Sequence, residues 1–225
     1  MKIAFLSDAH GNSIALQQCL EKIFQQGVDQ IWFLGDAIGY YPDFNGVIDL
    51  LQQNGVSCLL GNHEAMLLHY IPLDKEKDVV YGIEKNRDSI SSDNFEFLRK
   101  LLPYSILNTG DLKLLCVHGG PFNPLEEYVS NNYDFDRLSK LEYDFIFCGH
   151  THWAFHKAFA EKQYINVGSC GLPRDIGNMG SYVLLDTVTK KIEVLRYTLD
   201  VERILERYHG KTHESVLQVL NRNNK

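Results

Sequence analysis

Residues 2–12, KIAFLSDAHGN, and 31–42, IWFLGDAIGYYP, carry the pattern from which the fold follows. Each opens with an apolar run too short for a helix and closes on a polar group, Asp8-Ala9-His10 in the first and Gly35-Asp36 in the second. Between the runs, Leu16, Cys19, Leu20, Ile23 and Phe24 recur at helical spacing across 12–26 and stop at Gly27. The alternation then repeats. Phe44, Val47, Ile48 and Leu51 share one helical face before Gly55, and 56–60 is a third apolar run. Strands at 2–6, 31–34 and 56–60, separated by helices of about 10–15 residues, predict an α/β chain with right-handed crossovers and parallel strands.

After residue 65 the rhythm changes. Residues 76–102 read as two helical pieces broken around Ser91-Ser92-Asp93, a cap for the apolar set Phe95, Leu98, Leu101 and Leu102. From 104 strands dominate, at 104–107, 112–117, 145–148, 153–159, 163–167, 181–186 and 191–197, and the tail from Asp200 reads as two helices split at Gly210. The longest irregular loop is 119–132, with Pro121 and Pro124. No repeat, low-complexity tract or linker divides the chain. The expectation is one domain over 1–225, with a helical insert at about 65–103 and a helical tail at about 200–222.

The 225 residues are 44% hydrophobic and 23% charged, as in an ordinary globular chain able to build a full core. Lys and Arg number 22 against 29 Asp and Glu, for a net charge of −7. No global field attracts phosphate backbones, so a grip on long nucleic acid is not expected, although a local cationic site built on metal ions could still bind an anion. The five cysteines are odd in number, and Cys58, Cys116 and Cys148 sit in apolar runs as small buried hydrophobes. A reducing, cytoplasmic address without disulfides is expected. No apolar run reaches the roughly 18 residues of a membrane span, and Met1-Lys2 leads into only four apolar residues, too few for a signal peptide.

Five apolar runs end in chemistry-bearing residues: Asp8-Ala9-His10, Gly35-Asp36, Gly61-Asn62-His63-Glu64, His118-Gly119-Gly120 and Gly149-His150-Thr151-His152. In open α/β sheets ligands bind at the carboxyl ends of strands, so these groups could share one rim. Singly each is weak. Asp-x-His is a common accident, Gly61-Asn62 alone is a turn, and His118 alone fits a hydrogen-bonded loop histidine. Gly149-His150-Thr151-His152 is stronger, because alternate imidazoles after a glycine bend can approach one ion or two neighbouring ones. The specific signal is the ordered set of five.

That set resembles the calcineurin-like metallophosphoesterases over roughly residues 1–185. Residues 35–42 and 166–174, GDAIGYYP and NVGSCGLPR, resemble the small prokaryotic phosphoesterases and phosphodiesterases of that superfamily. The resemblance implies an α/β fold of two mixed β-sheets packed as a sandwich and flanked by helices, in α-β-β-α layers, with metals at one end. It further implies that Asp8, His10 and His152 hold one ion, Asn62, His118 and His150 a second, and Asp36 bridges them. Two divalent ions about 3.5–4 Å apart repel, and a bridging carboxylate with a bridging hydroxide screens that repulsion. The charges sum to about +1, which favours an anionic phosphate ester despite the chain's −7. The mixed nitrogen and oxygen donors suit Mn, Fe, Co, Ni or Zn better than Ca. A metal hydroxide would attack phosphorus in line.

On the same resemblance, His63, Asn62 and Asp36 are the catalytic residues, with His63 over the substrate to stabilise phosphoryl charge or protonate the leaving oxygen. Asn62, His63 and Arg174 would bind substrate, and Glu64 would orient a histidine. Arg174 has two readings: a solvated loop arginine, or a planar guanidinium that binds phosphate bidentately. Tyr40 and Tyr41 either stack on a base or cover the site, while Trp32, Trp153 and most Phe residues are expected in the core.

The expected function is a dimetal phosphoesterase acting on a phosphomonoester or phosphodiester of a small molecule or nucleotide. One alternative is a dinucleoside polyphosphate hydrolase of the diadenosine tetraphosphate type. Another is a non-catalytic metal-binding scaffold, which the presence of all seven ligands and His63 disfavours. A β-lactamase-like dinuclear zinc hydrolase is rejected, because Gly149-His150-Thr151-His152-Trp153-Ala154 lacks the Asp-His continuation. No membrane partner is expected, and a homo-oligomer is compatible with the sequence.

Overall fold

The structure, a computed structural model, describes residues 1–223, so the last two positions of the expected 1–225 unit lie outside the described residues. The opening alternation forms as β1 (Lys2–Leu6), α1 (Ser13–Phe24), β2 (Gln30–Phe33), α2 (Phe44–Gln53) and β3 (Ser57–Cys58). Asn12 and Asp43 cap the two helices by accepting from the backbone N–H of Ala15 and Gly46. β1 pairs in parallel with β2, and β2 with β3. β3 is shorter than the expected 56–60; beyond it, Leu59 N donates to Phe33 O of β2 while Leu59 bridges to Leu102.

On the other side of β1, β9 (Met179–Asp186) pairs antiparallel and is joined by a tight turn to β10 (Lys191–Thr198), giving the order β10-β9-β1-β2-β3. A connection this short permits only antiparallel pairing, so the sheet is mixed. The second sheet is also mixed. It contains β4 (Tyr104–Thr109), β5 (Leu112–Val117), β6 (Phe145–Cys148), β7 (Ala154–Phe159) and β8 (Lys162–Val167), in the order β4-β5-β6-β8-β7.

Alternation along the strands builds the layers. Ile3, Phe5, Val183 and Leu185 meet Leu114, Cys116, Phe147 and Ile165 between the sheets, where the Phe5 and Phe147 rings stack at 3.9 Å. Ala4 and Leu6 face the opposite way, into a core with α1, α2, α7 (Val201–Tyr208) and α8 (Glu214–Val219). Beyond the second sheet, Leu115, Val117, Ile146 and Tyr164 are covered by Val129 and a 3-10 helix, Phe135–Leu138. The fold is two mixed five-stranded sheets with flanking helices.

The segment expected as two helical pieces holds three: α4 (Lys75–Tyr81), α5 (Ile83–Arg87) and α6 (Ser92–Arg99), preceded by the unexpected α3 (Asn62–Leu67). Gly82, left-handed at φ 65°, ends α4 and starts α5. Ser91 caps α6 as expected. Among the described residues, no helix is long and apolar enough to cross a membrane.

Candidate active site

The polar residues that follow β1, β2, β3, β5 and β6 converge where the two sheets present neighbouring strand ends. Five of them, Asp8, His10, Asp36, His150 and His152, have φ between 51° and 65°. A non-glycine residue pays about 1–2 kcal/mol for this left-handed conformation. The surrounding backbone holds it. Asp8 N donates to Gly35 O, His10 N to Asp36 O and Gly171 N to Asp8 O, at 3.0, 3.0 and 3.1 Å. Such strain, concentrated at one point, is typical of functional sites.

Asp8, His10 and His152 bring ligand atoms within 4.8 Å of one another, as do Asp36, His118 and His150. Asp36 Oδ2 lies 3.3 Å from His118 Nε2 and 3.6 Å from His10 Nε2, between the two groups. Asn62 Oδ1 joins the second group at 2.9 Å from His118 Nε2. All seven expected ligand positions are therefore in one place. Asp8, His10 and His118 are wholly buried.

The histidines are oriented from behind. Nδ1 of His10, His118 and His152 lies 3.0, 2.9 and 2.6 Å from the carbonyl oxygens of Ile38, Leu34 and Leu172. A carbonyl only accepts, so each Nδ1 carries a proton, and in the neutral ring Nε2 is the lone-pair atom turned to the cluster. His10 Nε2 and His152 Nε2 face each other at 2.9 Å, and with both rings neutral they present two lone pairs to the same point. Asp8 Oδ2 accepts from the N–H of His150 at 3.0 Å, but buried Asp8 Oδ1 has no hydrogen-bond partner among the described residues. Two facing lone pairs beside an unsatisfied carboxylate oxygen fit a shared cation.

Burial works to raise the Asp8 and Asp36 carboxyls, yet the surrounding histidines, His152 first for Asp8 and His118 first for Asp36, hold both well below the usual range. Burial lowers His150 to about 4, aided by His118, and His152 to about 3, aided by Arg174. Burial also works to lower His118, but Asp36 outweighs it and raises His118 to about 9. Ionised Asp8 and Asp36 beside neutral His150 and His152 match the protonation states that ligation requires, whereas His118, raised by Asp36, would give up a proton on binding an ion.

A cleft of about 450 Å³ opens over this cluster, lined in part by Asp36, Asn62, His63, His150, His152 and Arg174. His63 Nε2 lies 3.8 Å from Asp36 Oδ2, and its buried Nδ1 has no hydrogen-bond partner among the described residues. The ring is held by aromatic contact instead, stacked on Tyr40 at 5.2 Å and tilted against Tyr81 at 4.6 Å. Arg174 lies in the cleft wall rather than out in solvent, its Nη2 donating to Tyr40 Oη at 2.8 Å. The two tyrosines separate: Tyr41 is core, and Tyr40 belongs to the cleft.

Three expectations need correction. Glu64 makes no hydrogen bond to a histidine among the described residues. Its carboxylate accepts from the backbone N–H groups of Asp36, Gly61 and Ile38 at 2.9, 2.8 and 3.1 Å, tying the Asp36 loop to the start of α3. Burial, with the Asp36 charge beside it, pushes Glu64 up to about 7. Trp153 is not core but 37% exposed, while Trp32 is partly buried against the inter-sheet core. Cys58 is only half-buried, unlike Cys116 and Cys148, and all five cysteines are free. The sequence reading also missed Lys77 and Tyr81, which α4 brings to the cleft; only their tertiary placement reveals them.

Comparison with known proteins agrees with this geometry. A family model described as the calcineurin-like phosphoesterase superfamily domain matches residues 1–190. The chain is 31% identical over 222 residues to an uncharacterized protein of Methanocaldococcus jannaschii, covering 91% of this chain and 90% of that one. It is 25% identical over 193 residues to the phosphodiesterase YfcE of Escherichia coli, covering 83% and 88% of the two chains. A solved metallophosphoesterase from Sphaerobacter thermophilus shares the fold at a TM-score of 0.81 and 22% identity, over 98% of both chains. The chain belongs to the calcineurin-like phosphoesterase superfamily.

Proposed function

We propose that the chain is a metal-dependent phosphoesterase that hydrolyses a small phosphodiester or phosphomonoester at a pair of divalent ions. The observation that carries this reading is the meeting of the groups Asp8, His10, His152 and Asp36, His118, His150, which a third group, His10, Asp36 and His63, links, with the Nε2 atoms of His10 and His152 facing each other across 2.9 Å. Asp8, His10 and His152 would hold one ion, Asn62, His118 and His150 the other, and Asp36 would serve both. Such ions supply positive charge for the phosphoryl oxygens and an activated water for attack on phosphorus. Mn, Fe, Co, Ni and Zn suit these mixed donors.

The protein's own groups divide the remaining work. Asp8 and Asp36 supply only two negative charges, so a pair of divalent ions leaves the site positive and attractive to an anion. Neutral Asn62 adds a ligand without cancelling that charge. His63 differs from His10, His118 and His152 in having no carbonyl to fix its tautomer. Its ligand atom lies within 4.8 Å of those of His10 and Asp36; we place it over the leaving oxygen rather than on an ion, and the metal content of His63→Ala decides between the two. Arg174, placed by Tyr40, would bind a phosphoryl oxygen at the cleft wall.

Hydrolysis of bis-p-nitrophenyl phosphate, followed as nitrophenolate release by protein reconstituted with Mn²⁺, tests the reading. Activity should vanish on chelation, return with metal, and fall by several orders of magnitude in Asp36→Asn. Hydrolysis that persists after full metal removal would overturn it.

A further inference from the structure

A second hollow, of about 380 Å³, adjoins the cleft and is lined by Tyr128, Asn131, Asn132, Thr151, Trp153 and Phe155, together with Ser130. Among the described residues its lining holds no charged side chain, so it is not built for another phosphate. It does hold three aromatic rings. Trp153 and Tyr128 are 37% and 53% exposed, and Phe155 is buried. Asn131 and Asn132 are exposed at the rim, each offering an amide donor and an acceptor.

The hollow shares a wall with the candidate active site. Tyr128 lines both spaces, and Thr151 stands in the chain between His150 and His152. The Tyr128 ring packs edge-on against His150 at 5.6 Å, and its Oη donates to Thr151 O at 3.5 Å. Tyr40 cannot supply the same platform, since its ring is engaged by His63, His10 and Tyr81 and its hydroxyl by Arg174. An uncharged, planar, partly polar group attached to a phosphoester would find stacking faces here and amides at its edge. Exposed aromatic rings beside side-chain amides are how proteins hold splayed-out nucleobases.

We infer that this hollow is a base subsite and that the substrate is a nucleoside phosphoester, its base against Trp153 and Tyr128 and its phosphorus over Asp36. The substrate class rests on the phosphoesterase reading, whereas the binding of a base does not. Loss of a stacking ring costs roughly 10- to 100-fold in affinity.

Two measurements separate the claims. Fluorescence excited at 295 nm reports binding of adenosine 5′-monophosphate, with ribose 5-phosphate as the control lacking a base. Saturable quenching by the nucleotide alone, absent in Trp153→Ala, is expected. Equal responses to both compounds, or no saturable quenching, would overturn the subsite. The second measurement compares kcat/KM for thymidine 5′-p-nitrophenyl phosphate with that for methyl p-nitrophenyl phosphate. Trp153→Ala should lower the ratio about 10- to 100-fold, mostly through KM, and Trp153→Phe should restore most of it. An unchanged ratio would overturn the subsite even if both esters are cleaved. Nucleotide quenching in a protein that cleaves neither ester would retain the subsite and refute the phosphoesterase reading.

Discussion

Gly39→Ala places a methyl group where the His63 ring already sits. Gly39 has φ 93°, and an ideal Cβ there would lie 2.1 Å from His63 Nδ1 and 2.8 Å from its Cε1. Ordinary contact begins near 3.4 Å, so the ring must retreat by about 1.3 Å or the Gly39 loop must yield. Tyr40 and Tyr81 pack against the same imidazole, and neither leaves a free path. The stability cost has two parts, about 1–2 kcal/mol for a side chain at positive φ and about 1–3 kcal/mol for overpacking. A decrease of about 2–5 kcal/mol in unfolding free energy by urea titration is expected.

The effect on catalysis follows from the displacement. Moving a reacting group by about 1 Å costs on the order of 10²-fold in rate, so kcat should fall by about that factor in Gly39→Ala. The second arm of the experiment is the double variant. With His63 already alanine, the added methyl has no ring to displace, so Gly39→Ala should cost little further activity and only the backbone part of the stability. Metal content should match the wild type in both, because the atoms nearest the added methyl belong to His63 alone. Wild-type kcat in Gly39→Ala, or losses that simply multiply in the double variant, would refute the idea that Gly39 acts through His63.

Other expected outcomes can be checked in parallel. His63→Ala should lower kcat by ~10²–10⁴ with metal content unchanged by elemental analysis; loss of ions would instead make His63 a ligand. Arg174→Ala should lower kcat/KM by very roughly one to two orders of magnitude, more for a dinucleoside polyphosphate than for bis-p-nitrophenyl phosphate, and Arg174→Lys should recover little because an ammonium lacks the planar fork. Removal of metal by a chelator should lower Tm, since an ion that binds only the native chain stabilises it by mass action; an unchanged Tm would count against a built metal site.

The strand ends were legible because apolar runs of four to six residues, each followed within two residues by a glycine or carboxylate, leave few alternatives. β1 spans 2–6 and β5 spans 112–117, as read from the sequence alone. The five motifs marked the seven candidate ligands because each follows a strand of this kind. Long-range placement was not legible. Nothing local distinguishes Tyr40 from Tyr41, yet one lines the cleft and the other is core. The left-handed conformations of Asp8, His10, Asp36, His150 and His152 fall on residue types that tolerate them best among non-glycine residues, but most Asp and His do not adopt them, so only the fold reveals which do. Glu64 looked like a partner for a histidine and instead accepts from three backbone N–H groups, since α3, which begins at Asn62, directs it toward the Asp36 loop. Trp153 follows a short polar turn and precedes an apolar run, which is why it read as core; in the structure it borders the hollow beside the site.

The number of divalent ions held per chain bears most directly on the proposed chemistry. Protein reconstituted with Mn²⁺, freed of excess ion by gel filtration and analysed for metal and protein together should contain about two ions per chain. Asp36→Asn, which alters the carboxylate between the two groups, should retain fewer. One ion per chain in the wild type, held in a closed tetrahedral site and unaffected by Asp36→Asn, would contradict a two-ion phosphoesterase, as would no bound ion at all.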